Sequence, residues 1–188
     1  MQQVFGVVAF GGFETTLSLL LQSKELPFKF RLEQILMYFA FIGIVLTLAQ
    51  GVLVRRLSGR VSELSLAVAG VIVSIIGFCL LIAAIEPGNL LLLRIASAVE
   101  VTGFALITPS LQSLISRRSD PEKQGGVLGI SQSVSALARI AGPLVAIPPF
   151  IFISPASPYY LSIGLMLVAV VCLLLGGRGG KDYGSAGH

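Results

Sequence analysis

The sequence has few charged residues. Asp, Glu, Lys and Arg make up 12% of the chain, whereas soluble domains carry about 25%. Hydrophobic residues make up 55%, and the mean hydropathy is +0.92. An ordinary soluble domain is therefore excluded, because its apolar stripes would be shorter and broken by polar faces. The net charge of +4 does not indicate nucleic-acid binding, since the basic residues lie in short connectors beside apolar runs.

Histidine and cysteine are also scarce, and the usual motifs of catalysis are missing. The one histidine is the last residue, and the two cysteines, Cys79 and Cys172, lie singly inside apolar runs. The sequence contains no HExxH, GxSxG or P-loop pattern. We therefore expect no enzyme, no nucleotide-driven pump, no metal site and no cofactor.

Six apolar runs fill most of the chain, each 18 to 27 residues long. A helix that rises about 1.5 Å per residue needs roughly 20 residues to cross about 30 Å of hydrocarbon, and tilt or snorkelling accommodates small differences. The sequence therefore predicts an all-α membrane protein: a six-helix transmembrane domain over residues 1–175 and a Gly-rich, disordered cytoplasmic tail over residues 176–188. The predicted spans are residues 4–21, 34–54, 64–85, 90–115, 127–153 and 158–175.

The basic residues of the connectors predict the orientation. Lys and Arg number eight on the side that holds both termini and three on the other side. Positive charge marks the cytoplasmic side, so both termini are expected in the cytoplasm of a multi-pass protein of the cell or inner membrane. No Lys or Arg precedes the first run, and Glu14 interrupts it. We therefore expect that run to stay in the mature protein rather than to be a removable signal peptide.

Four charged residues lie inside the predicted spans. A charge at mid-bilayer costs about 2.5–3.5 kcal/mol on insertion scales, so it needs a partner, a wet cavity or a function. Glu14, Glu100 and Arg139 lie near the middle of their spans, whereas Arg94 lies near the outer end and can snorkel to the headgroups. All four are candidates for transport or proton coupling. Glu14 is expected to be the most buried acid and to face the interior of the bundle. Arg139 could instead form a static pair with Glu14 or Glu100.

Polar residues on the same spans are candidates for lining a cavity. Ser131 and Ser135 share a helix face with Arg139, because the three residues are spaced four apart. Small polar residues also join helices without any transport role, and that alternative stays open for the serines. In the fifth span, Gly142 and Pro143 are expected to break the helix. The cavity-lining candidates are Gln34, Tyr38, Gln50, Gln112, Ser131, Gln132 and Ser135.

The connector after the second span has the sequence GVLVRRLSGR, residues 51–60. Gly51 and Gly59 would allow a close helix approach and a tight turn. Arg55, Arg56 and Arg60 can bond helix C-terminal carbonyls or nearby acids. The simpler alternative is that the arginines only hold the loop on the cytoplasmic side.

Several segments together resemble the C-terminal six-helix half of a major facilitator superfamily transporter, most closely the drug:proton antiporter branch that includes tetracycline-resistance proteins. Residues 51–60 are similar to the GxLaDRxGRR motif, although Arg55 stands where the motif has Asp. RIASAVE (94–100) resembles a degenerate RxxQG motif, and ARIAGPLVA (138–146), which contains Gly142 and Pro143, resembles a degenerate GxxxGPxxGG antiporter motif.

The resemblance implies a twelve-helix protein with two six-helix halves around a central cavity, which moves a solute by rocking. The implied function is secondary active transport of a small organic solute in the lipid bilayer, as drug efflux or exchange with the proton as coupling ion. With six spans, this half would need a missing N-terminal half or a second copy. The alternative is a truncated, non-transporting membrane protein that packs against or scaffolds a partner.

Overall fold

A computed structural model of the chain describes residues 2–23, 27–57, 59–120 and 122–177. The described residues form six helices that are long and apolar enough to cross a membrane. The predicted fold class is therefore confirmed. The last helix includes Gly176 and Gly177, which had been assigned to the tail, and the rest of the predicted tail lies outside the described residues. The helices are α1 (Gln2–Gln22), α2 (Leu32–Leu57), α3 (Glu63–Ile85), α4 (Leu90–Arg117), α5 (Gln124–Phe152) and α6 (Ser157–Gly177).

The helices pack in neighbouring pairs around an apolar core. α3 packs most extensively on α4, α1 packs on α5 and α6, α6 also reaches α3, and α2 lies against α4. Aromatic rings connect these helices at the centre. Phe78 of α3 stacks on Tyr159 of α6 with ring centroids 6.3 Å apart, and Phe13 of α1 meets Phe78 edge-on at 6.2 Å. The three side chains are fully buried, and the core extends from them to buried residues of α2 and α4.

A tight turn joins α3 and α4. Gly88 has a φ of +60°, a conformation that glycine adopts without a steric penalty. The side-chain Oδ1 of Asn89 then accepts a hydrogen bond of 3.1 Å from the backbone N–H of Leu92, which caps the start of α4. The two helices are therefore antiparallel neighbours, and the start of α3 lies near the end of α4.

The connector predicted after the second span is mostly helical. α2 continues to Leu57 and contains a π-helical segment over Ala49–Val54, a geometry that is rare and often occurs at functional sites. The prediction of a close helix approach at Gly51 is wrong, because a Cβ added there would meet no atom within 4 Å. Gly59 does form a turn, with a φ of +86°.

The prediction that the fifth span is broken at Gly142 and Pro143 is also wrong. α5 runs without interruption from Gln124 to Phe152. Proline removes one backbone donor, but transmembrane helices tolerate this loss where neighbours satisfy the freed groups. At the end of α5, the Pro149 carbonyl accepts hydrogen bonds from the N–H groups of Ile153 and Ser154, at 3.0 and 3.1 Å.

Candidate transport face

Small residues bring α1 and α5 into close contact. A Cβ added at Gly12 would lie 2.9 Å from the Cβ of Ala146, and one added at Gly142 would lie 2.8 Å from the carbonyl oxygen of Val8. Membrane helices associate through such residues because the two backbones can approach closely. The contact holds Glu14, two residues after Gly12, beside α5.

Glu14 lies on the exposed flank of this contact. Its side chain is exposed and interacts electrostatically with Arg139 of α5, which is exposed as well. Both are described residues, and no salt bridge joins them. The prediction that Glu14 is the most buried acid and faces the bundle interior is therefore wrong. The prediction was based on the position of Glu14 along α1. Its exposure depends instead on the side of α1 that it occupies, because α5 does not cover that side.

A groove of about 330 Å³ lies beside Arg139, where α1 and α5 meet α4. We call it the α1–α5 groove. Four residues that the sequence selected line it together, namely Gln112, Gln132, Ser135 and Arg139. On α5, residues 132, 135, 136 and 139 follow the spacing of a single helix face. The remaining lining residues are Gln3, Val7, Phe104, Thr108 and Ala136. The groove therefore combines an arginine, three amides and two hydroxyls at the depth of the membrane.

Ser131 and Gln3 join α5 to the start of α1. The Ser131 hydroxyl donates to Oε1 of Gln3 at 2.8 Å, and the Ser135 hydroxyl donates to the carbonyl oxygen of Ser131, also at 2.8 Å. These residues also line an adjoining groove of about 300 Å³. Gln3 is absent from the sequence-based candidates because the predicted first span begins at residue 4. A polar residue one position before an apolar run was the signal that could have found it.

The other cavity-lining candidates lie elsewhere, between α2 and α4. Gln34, Tyr38 and Arg94 line a groove of about 510 Å³ that shares no residue with the α1–α5 groove. The Tyr38 hydroxyl is hydrogen-bonded to that of Ser97 at 2.9 Å, and Oε1 of Gln34 accepts from the backbone N–H of Arg31 at 2.9 Å. The other residues that line this groove are Phe30, Glu33, Met37, Phe41 and Leu90.

Gln50 takes part in neither groove. It is exposed within the π-helical segment of α2. Arg55, Arg56 and Arg60 are exposed at the end of α2 and in the turn that follows. The motif residues between positions 51 and 60 therefore lie at the end of α2 and line neither groove, whereas Gly142 lies at the contact of α1 with α5.

Glu100 of α4 is the buried acid of the bundle. Its relative exposure is 0%, and neither of its carboxyl oxygens has a hydrogen-bond partner within the described residues. Of the two pairs that the sequence left open for Arg139, the structure places Arg139 near Glu14. A static Glu100–Arg139 pair is not formed.

A salt bridge at the end of the bundle was not anticipated. Nη1 of Arg117, near the end of α4, lies 2.7 Å from Oε1 of Glu63, at the start of α3. The Ser113 hydroxyl donates to the same oxygen at 3.4 Å. Opposite charges at the start and the end of two antiparallel neighbouring helices were the sequence signal for this pair.

The chemistry that these residues offer is that of charge and hydrogen bonding. Within the described ranges, no group of three or more His, Cys, Asp or Glu side chains could hold a metal ion. The thiols of Cys79 and Cys172 are not linked to each other. An exposed acid, an arginine and several amides at mid-span are suited to binding a polar part of a solute or a proton.

Comparison with known proteins agrees with the six-helix architecture. Residues 3–143 match the family described as Major Facilitator Superfamily. The chain belongs to this superfamily. The predicted superfamily is thereby confirmed, while the drug:proton antiporter branch stays a prediction. Membership and the six apolar helices indicate an integral, multi-pass membrane protein in a family of transporters.

Three mammalian relatives are each described as major facilitator superfamily domain-containing protein 10. The chain is 33% identical to the Bos taurus protein and 31% identical to the Mus musculus protein, over 167 residues in both cases. These alignments cover 88% of this chain and 33% of each relative. The Homo sapiens protein is 34% identical over 142 residues, 73% of this chain and 29% of the relative. This superfamily member thus spans about a third of the length of these relatives.

Proposed function

We propose that the chain forms one half of a secondary active transporter and that the α1–α5 groove faces the path of a small organic solute. The observation that carries the proposal is the exposure of Glu14 and Arg139 near the middle of long apolar helices, with Gln132 exposed about two turns before Arg139 on α5. Charged side chains at this depth cost about 2.5–3.5 kcal/mol each when they face lipid. A water-filled path or a partner surface removes that cost.

The arrangement of the family supports this assignment. In major facilitator transporters two six-helix halves face each other, and the solute binds between them near the midplane of the bilayer. The polar face of α1 and α5 is the wall that this chain would contribute. The opposite wall would come from an N-terminal six-helix half or from a second copy of the chain.

We further propose proton exchange as the coupling reaction, in keeping with the resemblance to the drug:proton antiporters. An apolar environment favours the neutral form of a carboxyl group, whereas a nearby cation such as an arginine favours the ionised form. A carboxyl group between these two influences can take up and release a proton as its surroundings change. A solute that binds Arg139 would change the charge near Glu14, which couples solute binding to proton binding.

Substitution of Glu14 tests this proposal. The Glu14→Gln protein keeps the shape of the side chain but cannot titrate, so we expect pH-dependent flux to fall at least about tenfold, a change of about 1.4 kcal/mol in barrier height. Glu122→Gln, which alters an exposed acid outside the helices, is the matched control and should transport normally. Flux of amphipathic solutes, tetracycline and ethidium among them, would be measured in proteoliposomes that hold a complete transporter, either the chain with its N-terminal half or a homodimer that transports. Unchanged flux and an unchanged pH profile in Glu14→Gln would refute the role of Glu14.

Whether the chain transports a solute depends on its assembly with a second six-helix half. A six-helix monomer has one wall of the cavity, so we expect no energy-dependent flux from it. Proton-driven flux by a monodisperse monomer would contradict the half-transporter proposal, whereas flux by a homodimer would support the version with two copies. A chain that binds a partner without flux in any assembly would favour the alternative scaffold function.

We also propose that both termini face the cytoplasm, as the basic residues indicate. Glu86 and Glu122 are exposed acids in connectors that the proposal places on opposite sides of the membrane. In a protein without native cysteines, Glu86→Cys should react with an impermeant thiol reagent from outside the cell. Glu122→Cys should react only after the membrane is opened. Labelling of both from the same side would refute the orientation.

A further inference from the structure

A pair of buried polar groups lies in the core, away from the α1–α5 groove. The carboxyl group of Glu100 on α4 and the hydroxyl group of Tyr159 on α6 both belong to residues with 0% exposure. Neither carboxyl oxygen of Glu100 has a hydrogen-bond partner among the described residues, whereas the Tyr159 hydroxyl interacts with the side chain of Thr16. Buried polar groups without partners are rare in proteins, and each one needs an explanation.

The backbone at Glu100 is fixed by α3. A Cβ added at Gly77 would lie 2.6 Å from both the Cα and the backbone nitrogen of Glu100. The hydroxyl of Ser74 donates to the carbonyl oxygen of Glu100 at 3.4 Å. Because the two backbones touch at this point, the Cα of Glu100 is fixed against α3.

Charged and titratable groups reach Glu100 from only some of the neighbouring helices. Glu14 of α1 interacts with it electrostatically, and so does Tyr159 of α6. α3 carries no charged residue at this level, since the only one within its bounds is Glu63 in its first turn. Tyr38 of α2 is hydrogen-bonded to Ser97 of α4. The two arginines of the spans, Arg94 on α4 and Arg139 on α5, are both exposed and form no salt bridge with Glu100.

An ionised carboxylate in this position would have neither a cation nor a hydrogen-bond donor. Burial of such a charge costs far more than burial of the neutral acid. We propose that Glu100 is a proton-binding site in the interior of the helix bundle, separate from the exposed side chains of Glu14 and Arg139.

The protonation of Glu100 does not depend on transport. Its role as a store for the coupling proton does rest on the proposed function. The two can be tested separately, because the state of a carboxyl group can be measured in the purified chain without any flux.

Infrared spectroscopy of the full chain in detergent tests the site. At a pH of about 8, ordinary carboxyl groups, with pKa values near 4, are ionised. We expect one protonated-carboxyl C=O band to remain in the wild-type protein, to disappear in Glu100→Gln and to persist in Glu14→Gln. The absence of such a band in the wild-type protein, or its loss in Glu14→Gln but not in Glu100→Gln, would overturn the proposal.

Tyr159→Phe provides a measurement that does not need the Glu100 variant to fold. Because Tyr159 interacts electrostatically with Glu100, removal of its hydroxyl should shift the frequency of the protonated-carboxyl band, and the shift identifies the band as that of Glu100. A band that stays at the same frequency in Tyr159→Phe would contradict the assignment. A negative infrared result would contradict the buried site but not the solute path along α1 and α5. Negative flux assays would contradict the solute path but not the buried site.

Discussion

The α3–α4 contact and the α1–α5 contact both depend on small residues, but they leave an acid in opposite surroundings. At Gly77 the backbone of α3 touches the backbone of α4, and Glu100 is sealed in the core. At Gly12 and Gly142, α1 touches α5, yet Glu14 stays exposed beside Arg139. Both acids lie near the middle of their helices.

The two contacts have different roles in the bundle. α4 is covered on several sides, since it packs on α3, α2, α1 and α5. α5 packs mainly on α1, and much of its surface is exposed. We therefore regard α3 and α4 as the rigid frame of the bundle, and α1 and α5 as the helices that present side chains to a solute or a partner.

The largest expected effect on stability is at the frame. A methyl group added by Gly77→Ala would collide with backbone atoms of Glu100, which cannot move aside as a side chain can. We expect the free energy of unfolding to fall by about 2–3 kcal/mol, the upper part of the usual cost of overpacking. Thermal unfolding in detergent would measure the change.

Gly164→Ala is the matched control for Gly77→Ala. A Cβ added at Gly164 of α6 would meet no atom within 4 Å, and alanine has the higher helix propensity. The melting temperature of this variant should be unchanged or slightly higher. Equal melting temperatures for the two variants would show that α3 and α4 do not touch as described.

A smaller loss is expected where α1 meets α5. Gly142→Ala would place a methyl group 2.8 Å from the Val8 carbonyl oxygen and 2.9 Å from the Gly12 nitrogen. Because α5 has fewer neighbours than α4, it can shift, and we expect a loss of about 1–2 kcal/mol. Gly129→Ala on the same helix meets nothing within 4 Å and is the control. A larger loss in Gly142→Ala than in Gly77→Ala would contradict the assignment of α3 and α4 as the rigid frame.

The smallest effect should come from the salt bridge at the end of the frame. The side chain of Arg117 is 49% exposed and that of Glu63 is 25% exposed, so solvent screens their attraction. A double-mutant cycle with Arg117→Gln and Glu63→Gln should give a coupling free energy of about 0.2–1 kcal/mol that decreases with added salt. A larger coupling that does not respond to salt would show that this end of the bundle is more enclosed than the structure indicates.

The sequence was sufficient to predict the fold class but not the surroundings of the charged residues. Run lengths predict six spans because the hydrocarbon thickness sets the length of a transmembrane helix. Whether an acid is sealed or exposed depends on which helix covers it. Glu14 and Glu100 are alike in sequence context, both being single acids in apolar runs, and only the packing distinguishes them.

The errors at Gly142 and at Gly51 have the same origin. A glycine and a proline in one helix predict a break when the helix is considered alone, but the neighbouring α1 supports α5 through Gly142. At Gly51 the lack of a side chain suggested a close contact, and no neighbouring helix is near enough to make one. Contacts between distant segments cannot be read from either local pattern.

The most direct test of the proposed solute path compares two adjacent residues of α5. Ala136 lines the groove beside Arg139, whereas Leu137 is 67% exposed and lines none of the grooves described above. The two positions differ in depth by about 1.5 Å, the rise of one helical residue. Cysteine at either position, in a chain whose two native cysteines are replaced by alanine, would be treated in membranes with a charged, water-soluble thiol reagent.

If the groove faces a water-filled path, Ala136→Cys should react at least about tenfold faster than Leu137→Cys, because the reactive thiolate forms in water and not in an apolar environment. An apolar maleimide should reach both positions and confirm that both cysteines are available. Equal reactivity of the two cysteines toward the charged reagent, or reaction of neither, would contradict the claim that this face of α1 and α5 lines the path of a solute.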